Sequence, residues 1–301
     1  MRLEVVGPLL LQQPIVEGRP PHLSAASGLV ATGRWIHVVA DDALHLATFC
    51  FPDLDRGRIH QLLPDPTLPA DEKERKAKKP DFESLTLVPF QGGSALLTLG
   101  SGSTPQRRRG VLQPVYECGE VEGYPRVFDL TPLYSALPFQ ELNIEGVAAA
   151  QDALYLAQRG NSVGGTNAII ELSLEDCILA AEESKPWSAN FVRKIRPVTL
   201  GNLDGVPLTL TDISPLDSSH LLFTAAAEDT ADTYSDGPIV GSVLGRYSLD
   251  TGETSIERLE GAWKIEGVCA VRGGPVLMVT DGDDPTRPAL LLVAHFQNTS
   301  P

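Results

Sequence analysis

The chain has 301 residues, of which 42% are hydrophobic and 21% charged, a composition that suits a packed protein and excludes intrinsic disorder. With 39 acidic against 24 basic residues the formal net charge is −15, so the average surface repels phosphate backbones and anionic membranes, and neither nucleic acid nor membrane is an expected partner. Glycine and proline, 27 and 24 in number, mark many turns between short strands.

The chain opens with a strand over Arg2–Val6; its apolar patch from Val5 to Leu11 is broken by Gly7 and Pro8 and lacks a small-residue cleavage site, so a cytoplasmic location is expected. Five segments then repeat one pattern of polar, small and aliphatic residues: Ser27-Gly28-Leu29, Glu83-Ser84-Leu85, Glu145-Gly146-Val147, Thr211-Asp212-Ile213 and Glu266-Gly267-Val268. They lie 56, 62, 66 and 55 residues apart, the length of one four-stranded propeller blade with generous loops. Short turns lead to second strands at Trp35–Ala40, Ala95–Leu99, Ala153–Ala157, Leu221–Ala225 and Val276–Thr280. Third strands follow at Ala43–Phe49, Gly110–Val115, Ala168–Leu172, Val243–Ser248 and Ala289–His295, and outer strands at Arg58–Leu63, Arg126–Leu130, Asn190–Ile195 and Thr254–Leu259.

The fifth repeat has no outer strand of its own, so Arg2–Val6 is expected to complete it and close the ring. The reading is an all-β, five-bladed β-propeller of four-stranded blades, one domain over residues 1–301. Two segments fall outside the pattern: the charge run Asp71–Lys79, read as a solvated helical turn or loop, and Leu174–Glu183, a short helix opened by the capping box Ser173-Leu174-Glu175-Asp176. The four cysteines are widely spaced with no CxxC pair, which argues for reduced structural thiols.

In a propeller the first strand of each blade lines the axis, so Ser27, Glu83, Glu145, Thr211 and Glu266 converge. Three carboxylates in a partly desolvated channel repel one another unless a cation cancels their charge. Oxygen-only donors suit a hard ion, and a flexible ring favours Ca2+ over Mg2+. The alternative is a hydrated ring with Glu83 paired to Lys79 or Lys264, and a one-residue slip in the fourth repeat would exchange Thr211 for Asp212.

The order Ser, Glu, Glu, hydroxyl, Glu on five successive inner strands, with the paired Asp41-Asp42 after the second strand, resembles the calcium-activated nucleotidase (soluble apyrase) family, and the Glu-Gly-Val elements are similar to phytase-like esterase propellers. The resemblance implies a five-bladed propeller with a central calcium and hydrolysis of a phosphoester or phosphoanhydride. After Asp41-Asp42 the chain continues Ala43-Leu44-His45, where the nucleotidases carry an arginine-bearing continuation.

The connections between second and third strands are long and polar, which places the working face on their side. Arg107, Arg108, Arg109 and Arg159, with Ser101 and Ser103, are the expected contacts for a small anionic molecule, because arginine forks match phosphate and carboxylate oxygens. Asp41 and Asp42 are the expected catalytic proton acceptors, next to a calcium-oriented water. A non-catalytic propeller with a structural ion, binding an anion or a protein on this face, is the alternative.

Overall fold

The structure, a computed structural model, describes all residues except 17, 65–67, 70, 162–164, 230–238 and 296–301. Its strands form five antiparallel sheets. Blade 1 holds β2 (Ala26–Thr32), β3 (Trp35–Ala40), β4 (His45–Cys50) and β5 (Arg58–Gln61); blade 2 holds β6 (Phe82–Phe90), β7 (Gly93–Gly100), β8 (Arg109–Val115) and β9 (Arg126–Asp129). Blade 3 holds β10 (Ile144–Ala150), β11 (Ala153–Gln158), β12 (Ala168–Ser173) and β13 (Val192–Pro197). In blade 4, β15 (Val206–Pro215), β16 (His220–Glu228), β17 (Ile239–Ser248) and β18 (Thr254–Arg258) are joined by a two-residue strand, β14 (Asn202–Leu203). Blade 5 is β19 (Ile265–Ala270), β20 (Val276–Thr280), β21 (Leu290–Ala294) and β1 (Glu4–Pro8).

The chain is therefore an all-β, five-bladed propeller, and β1 pairs antiparallel with β21 to close the ring as expected. The four thiols are free. The apolar core is divided into five clusters, each between two neighbouring blades, because every sheet buries apolar side chains on both faces.

Short helices mark the departures from the strand pattern. The charge run forms a helix, α1 (Glu72–Lys78), whose N-cap Asp71 accepts the Glu74 N–H at 2.9 Å. A four-residue helix, α2 (Thr131–Tyr134), follows blade 2, and the capping box opens α3 (Leu174–Glu182). The outer strand expected from Asn190 begins at Val192, because residues 189–191 close into a 3-10 turn.

The repeat acquires a physical meaning in the inner strands. In all five blades the pairing with the second strand slips at the repeated polar position: between Ala26 and Leu29, Phe82 and Ser84, Ile144 and Gly146, Leu210 and Asp212, and Ile265 and Gly267. Each such β-bulge frees a residue from the ladder and re-aims its side chain. The small residue that follows is set by crowding. A Cβ at Gly146 would lie 2.7 Å from the Ile213 backbone nitrogen, one at Gly28 2.6 Å from Leu85 N, and one at Gly267 2.2 Å from Ser27 O. At these three positions the inner strands of adjacent blades approach so closely that only a bare backbone fits, whereas blades 2 and 4 carry Ser84 and Asp212 in the same place.

Candidate functional site

The connections from second to third strands and the segments entering the inner strands of blades 2, 3 and 5 meet on one face of the disc, around a cavity of about 720 Å³. Of the bulge residues, Ser27, Glu83, Glu145 and Glu266 line it. Thr211 does not: its hydroxyl lies 3.0 Å from Thr224 Oγ1 and donates to Ile265 O at 2.7 Å, so the fourth blade turns its polar residue into the seam with blade 5. Asp212 does not reach the cavity either, since its carboxylate accepts the N–H groups of Val268 and Ile213 at 2.7 and 2.8 Å. Blade 4 contributes Glu228 instead, from the end of β16.

Positive side chains are woven between the carboxylates. Arg159 is buried, not offered to solvent, and its guanidinium lies 2.8 Å from Glu228, 3.5 Å from Glu145 and 3.8 Å from Glu266. Lys264 lies 2.6 Å from Asp283 and 3.6 Å from Glu266. Asn143 donates to Glu145. Burial pushes the Glu145 carboxyl up to about 8, with Arg159 opposing the shift and Glu266 reinforcing it. Burial likewise raises Glu266, opposed by Lys264 and Arg159. Arg159 and Lys264 thus supply much of the positive charge that the glutamate ring was expected to draw from an ion.

The other half of the cavity centres on Asp81, on the approach to β6, where it adopts a left-handed backbone (φ 57°). Lys79, the C-cap of α1, contacts Asp41 and lies 2.8 Å from Asp81 Oδ1; Arg107 Nη1 lies 2.7 Å from Asp81 Oδ2, and the Ser101 hydroxyl donates to the same oxygen. Oxygens of Asp41, Asp81 and Glu83 all fall within 4.8 Å of one another. One ammonium cannot hold three neighbouring carboxylates ionised. Burial disfavours charge on Asp81, but Lys79 and Arg107 together outweigh it and hold this carboxyl below its ordinary range. Among the described residues no salt bridge reaches Glu83, and burial, reinforced by Asp81, Glu145 and Asp41 against the pull of Lys79, drives it well above the usual carboxylate value. Asp41 is also raised by burial, against the pull of Lys79. Two adjacent carboxyls pushed in opposite directions form a donor and acceptor pair for protons.

The remaining expected residues divide. Arg107, Arg108 and Ser103 line the cavity, whereas Ser101 sits behind it, orienting Asp81, and Arg109 belongs to β8, paired in register with Asp129. Asp41 lines the cavity, but Asp42 points away to Arg19 at 3.0 Å and Arg75 at 3.7 Å. Of the long second-to-third-strand connection of blade 4, from Glu228 to Pro238, residues 230–238 lie outside the described residues. Asp81, two residues before the repeated Glu83, was not among the expected site residues; its signal was an aspartate following Pro80 at the entry to an inner strand.

The model of the family of unknown function DUF6929 matches residues 22–295. The chain belongs to this family. No curated protein sequence matches it. Among solved structures, an engineered GH43 glycoside hydrolase with endo-xylanase and exo-arabinofuranosidase activity superposes with a TM-score of 0.51 at 10% identity, over 92% of this chain and 50% of that one. The Cellvibrio cellulosa α-L-arabinanase complexed with arabinohexaose gives 0.48 at 10% identity, over 91% and 94%, and the PQQ-bound aldose sugar dehydrogenase from Streptomyces coelicolor 0.45 at 13%, over 97% of both chains. At these identities the likeness is one of fold.

Proposed function

We propose that this DUF6929 protein is a hydrolase of a small anionic molecule, a phosphoester or phosphoanhydride, bound in the central cavity. The reading is carried by one observation: Asp81, paired with Lys79 and Arg107 and held below its ordinary carboxylate range, sits beside Glu83, which burial pushes well above that range. Water adds to phosphorus as Asp81 takes one of its protons, the bond to the leaving oxygen breaks, and that oxygen receives the proton of Glu83. Arg108 and Arg107 meet the anion at the rim, where Arg107 bridges Asp81 and Ser103 Oγ at 2.7 and 2.9 Å. Relative to the paired aspartates of the nucleotidase resemblance, Asp81 takes the place of Asp42.

A second reading keeps calcium. The axial ring fits such an ion poorly, because Thr211 is turned away and Arg159 already lies between Glu145 and Glu266. The close oxygens of Asp41, Asp81 and Glu83 fit better, as hard donors for a divalent cation, although Lys79 would have to leave.

Turnover across a phosphoester and phosphoanhydride panel tests the first reading. Wild type should hydrolyse at least one compound, and Glu83→Gln and Asp81→Asn should each lose about 10²–10⁴-fold; a folded protein inert to the whole panel contradicts it. Activity and thermal midpoint that fall with chelator and return with calcium would favour the second reading; indifference to both would remove it.

A further inference from the structure

The cavity has one apolar wall. Tyr134, the last residue of α2, and Leu137, Phe139 and Leu142, from the stretch that leads on into β10, form it, while most of the remaining lining is polar or charged. This ledge is fixed to the loop that carries the basic rim. Gly102 (φ 79°) packs so tightly that a Cβ there would lie 2.5 Å from the Tyr134 ring and 2.7 Å from Leu142. Tyr134 Oη donates to Gly100 O at 2.9 Å, Ile144 N to Ser101 O at 2.8 Å, and Arg108 Nη1 to Ser135 Oγ at 2.8 Å.

Arg108 differs from its neighbours. Arg107, Arg159, Lys79 and Lys264 each pair with a carboxylate of the cavity, whereas among the described residues no carboxylate pairs with Arg108. A cation with its charge uncompensated, beside an apolar ledge held in fixed register with it, is a two-part receptor. The volume, about 720 Å³, falls in the range of small-molecule sites.

We infer that the ligand of this cavity is an anion borne on a flat apolar ring, such as an aryl phosphate, with the anionic group at Arg108 and the ring against Phe139, Leu137 and Leu142. The inference rests on the anionic-substrate reading above and adds the chemistry of the group that carries the anion. The two ends divide the work: the guanidinium fork recognises the oxyanion, and the ledge rejects fully hydrated substituents by leaving their hydrogen bonds unmade.

Calorimetric titration of the full chain with two phosphonates that cannot be hydrolysed tests this. Phenylphosphonate should bind about tenfold more tightly than methylphosphonate. Phe139→Ala and Phe139→Leu should abolish that preference, Phe139→Trp should keep it, and Arg108→Gln should weaken both ligands alike, each variant first checked for an unchanged thermal midpoint. Equal affinities in wild type, or a preference that survives both Phe139→Ala and Phe139→Leu, would overturn the inference. Binding of neither phosphonate would overturn the anionic reading together with it. A phenyl preference dependent on Phe139 in a protein that hydrolyses nothing would uphold the inference while removing only the hydrolase step.

Discussion

Lys79 Nζ lies 2.8 Å from Asp81 Oδ1, and the lysine reaches it from the C-cap of α1, outside the propeller sheets. A charge-rich helix of seven residues thereby delivers the ammonium that Asp41, Asp81 and Glu83 share. Burial would strip the proton from such a lysine, yet the three carboxyls hold it on.

Lys79→Met should therefore leave buried carboxylates without their counter-ion and destabilise the fold by about 3–5 kcal/mol at neutral pH. Removing the ammonium raises the folded-state pKa of all three carboxyls, Asp41 and Glu83 further above their unfolded values and Asp81 upward from below its own, so the deficit should shrink as acid protonates them. Urea unfolding at pH 5 and pH 8 checks this; an equal deficit at both would contradict it.

Glu145 gives a second pH dependence. Its carboxyl is raised from 4.5 to about 8, chiefly by burial. A raised folded pKa contributes stability that is complete below the unfolded value and lost as pH climbs through the folded one. Glu145→Gln, which mimics the protonated form beside Asn143, should flatten the decline in unfolding free energy between about pH 4.5 and 8. An unchanged slope would count against it.

His37 works in the opposite direction. It is fully buried in blade 1, where Nε2–H donates to Gly119 O of blade 2 at 2.9 Å and Nδ1 lies 3.1 Å from Thr48 Oγ1. Burial depresses its pKa to about 4, with the Gly119 bond opposing. A depressed pKa contributes stability above the unfolded value that is lost on acidification, here about 3 kcal/mol between pH 6.5 and 4. His37→Gln should remove most of that acid sensitivity, read from unfolding midpoints across the interval; a profile parallel to wild type would refute it.

Gly146→Ala should cost about 1–3 kcal/mol, because the added methyl meets the blade 4 backbone first, Ile213 N at 2.7 Å, which cannot give way as the end of a side chain can. Gly92, whose Cβ would meet nothing within 4 Å, is the control for crowding, its substitution carrying only the strain of φ 78°. Chemical denaturation of both variants measures the difference, and equal costs would mean that crowding does not set the repeat.

The architecture could be read from the sequence because it is written five times. The polar, small and aliphatic signature marks a bulge and a close backbone approach, both local and both constrained to certain residue types. Individual directions could not be read so well. Whether Thr211 faces the axis depends on the seam with blade 5, where Ile265 O accepts its hydroxyl. Arg159 looked like a surface arginine on a polar loop, and its burial among Glu145, Glu228 and Glu266 follows from how three blades meet. The pairing of Lys79 with Asp81 depends on where α1 docks, which no periodicity encodes. By contrast β14 had a visible signal, the Asp204-Gly205 turn with both residues at positive φ.

Asp81 and Glu83 are neighbouring carboxyls pushed in opposite directions, Asp81 toward the ionised form and Glu83 toward the protonated one. Infrared difference spectroscopy at neutral pH, wild type against Glu83→Gln and against Asp81→Asn, reads this directly without any substrate. Glu83→Gln should remove a protonated carboxyl C=O band, and Asp81→Asn an ionised carboxylate band. Loss of a carboxylate band in Glu83→Gln would contradict this.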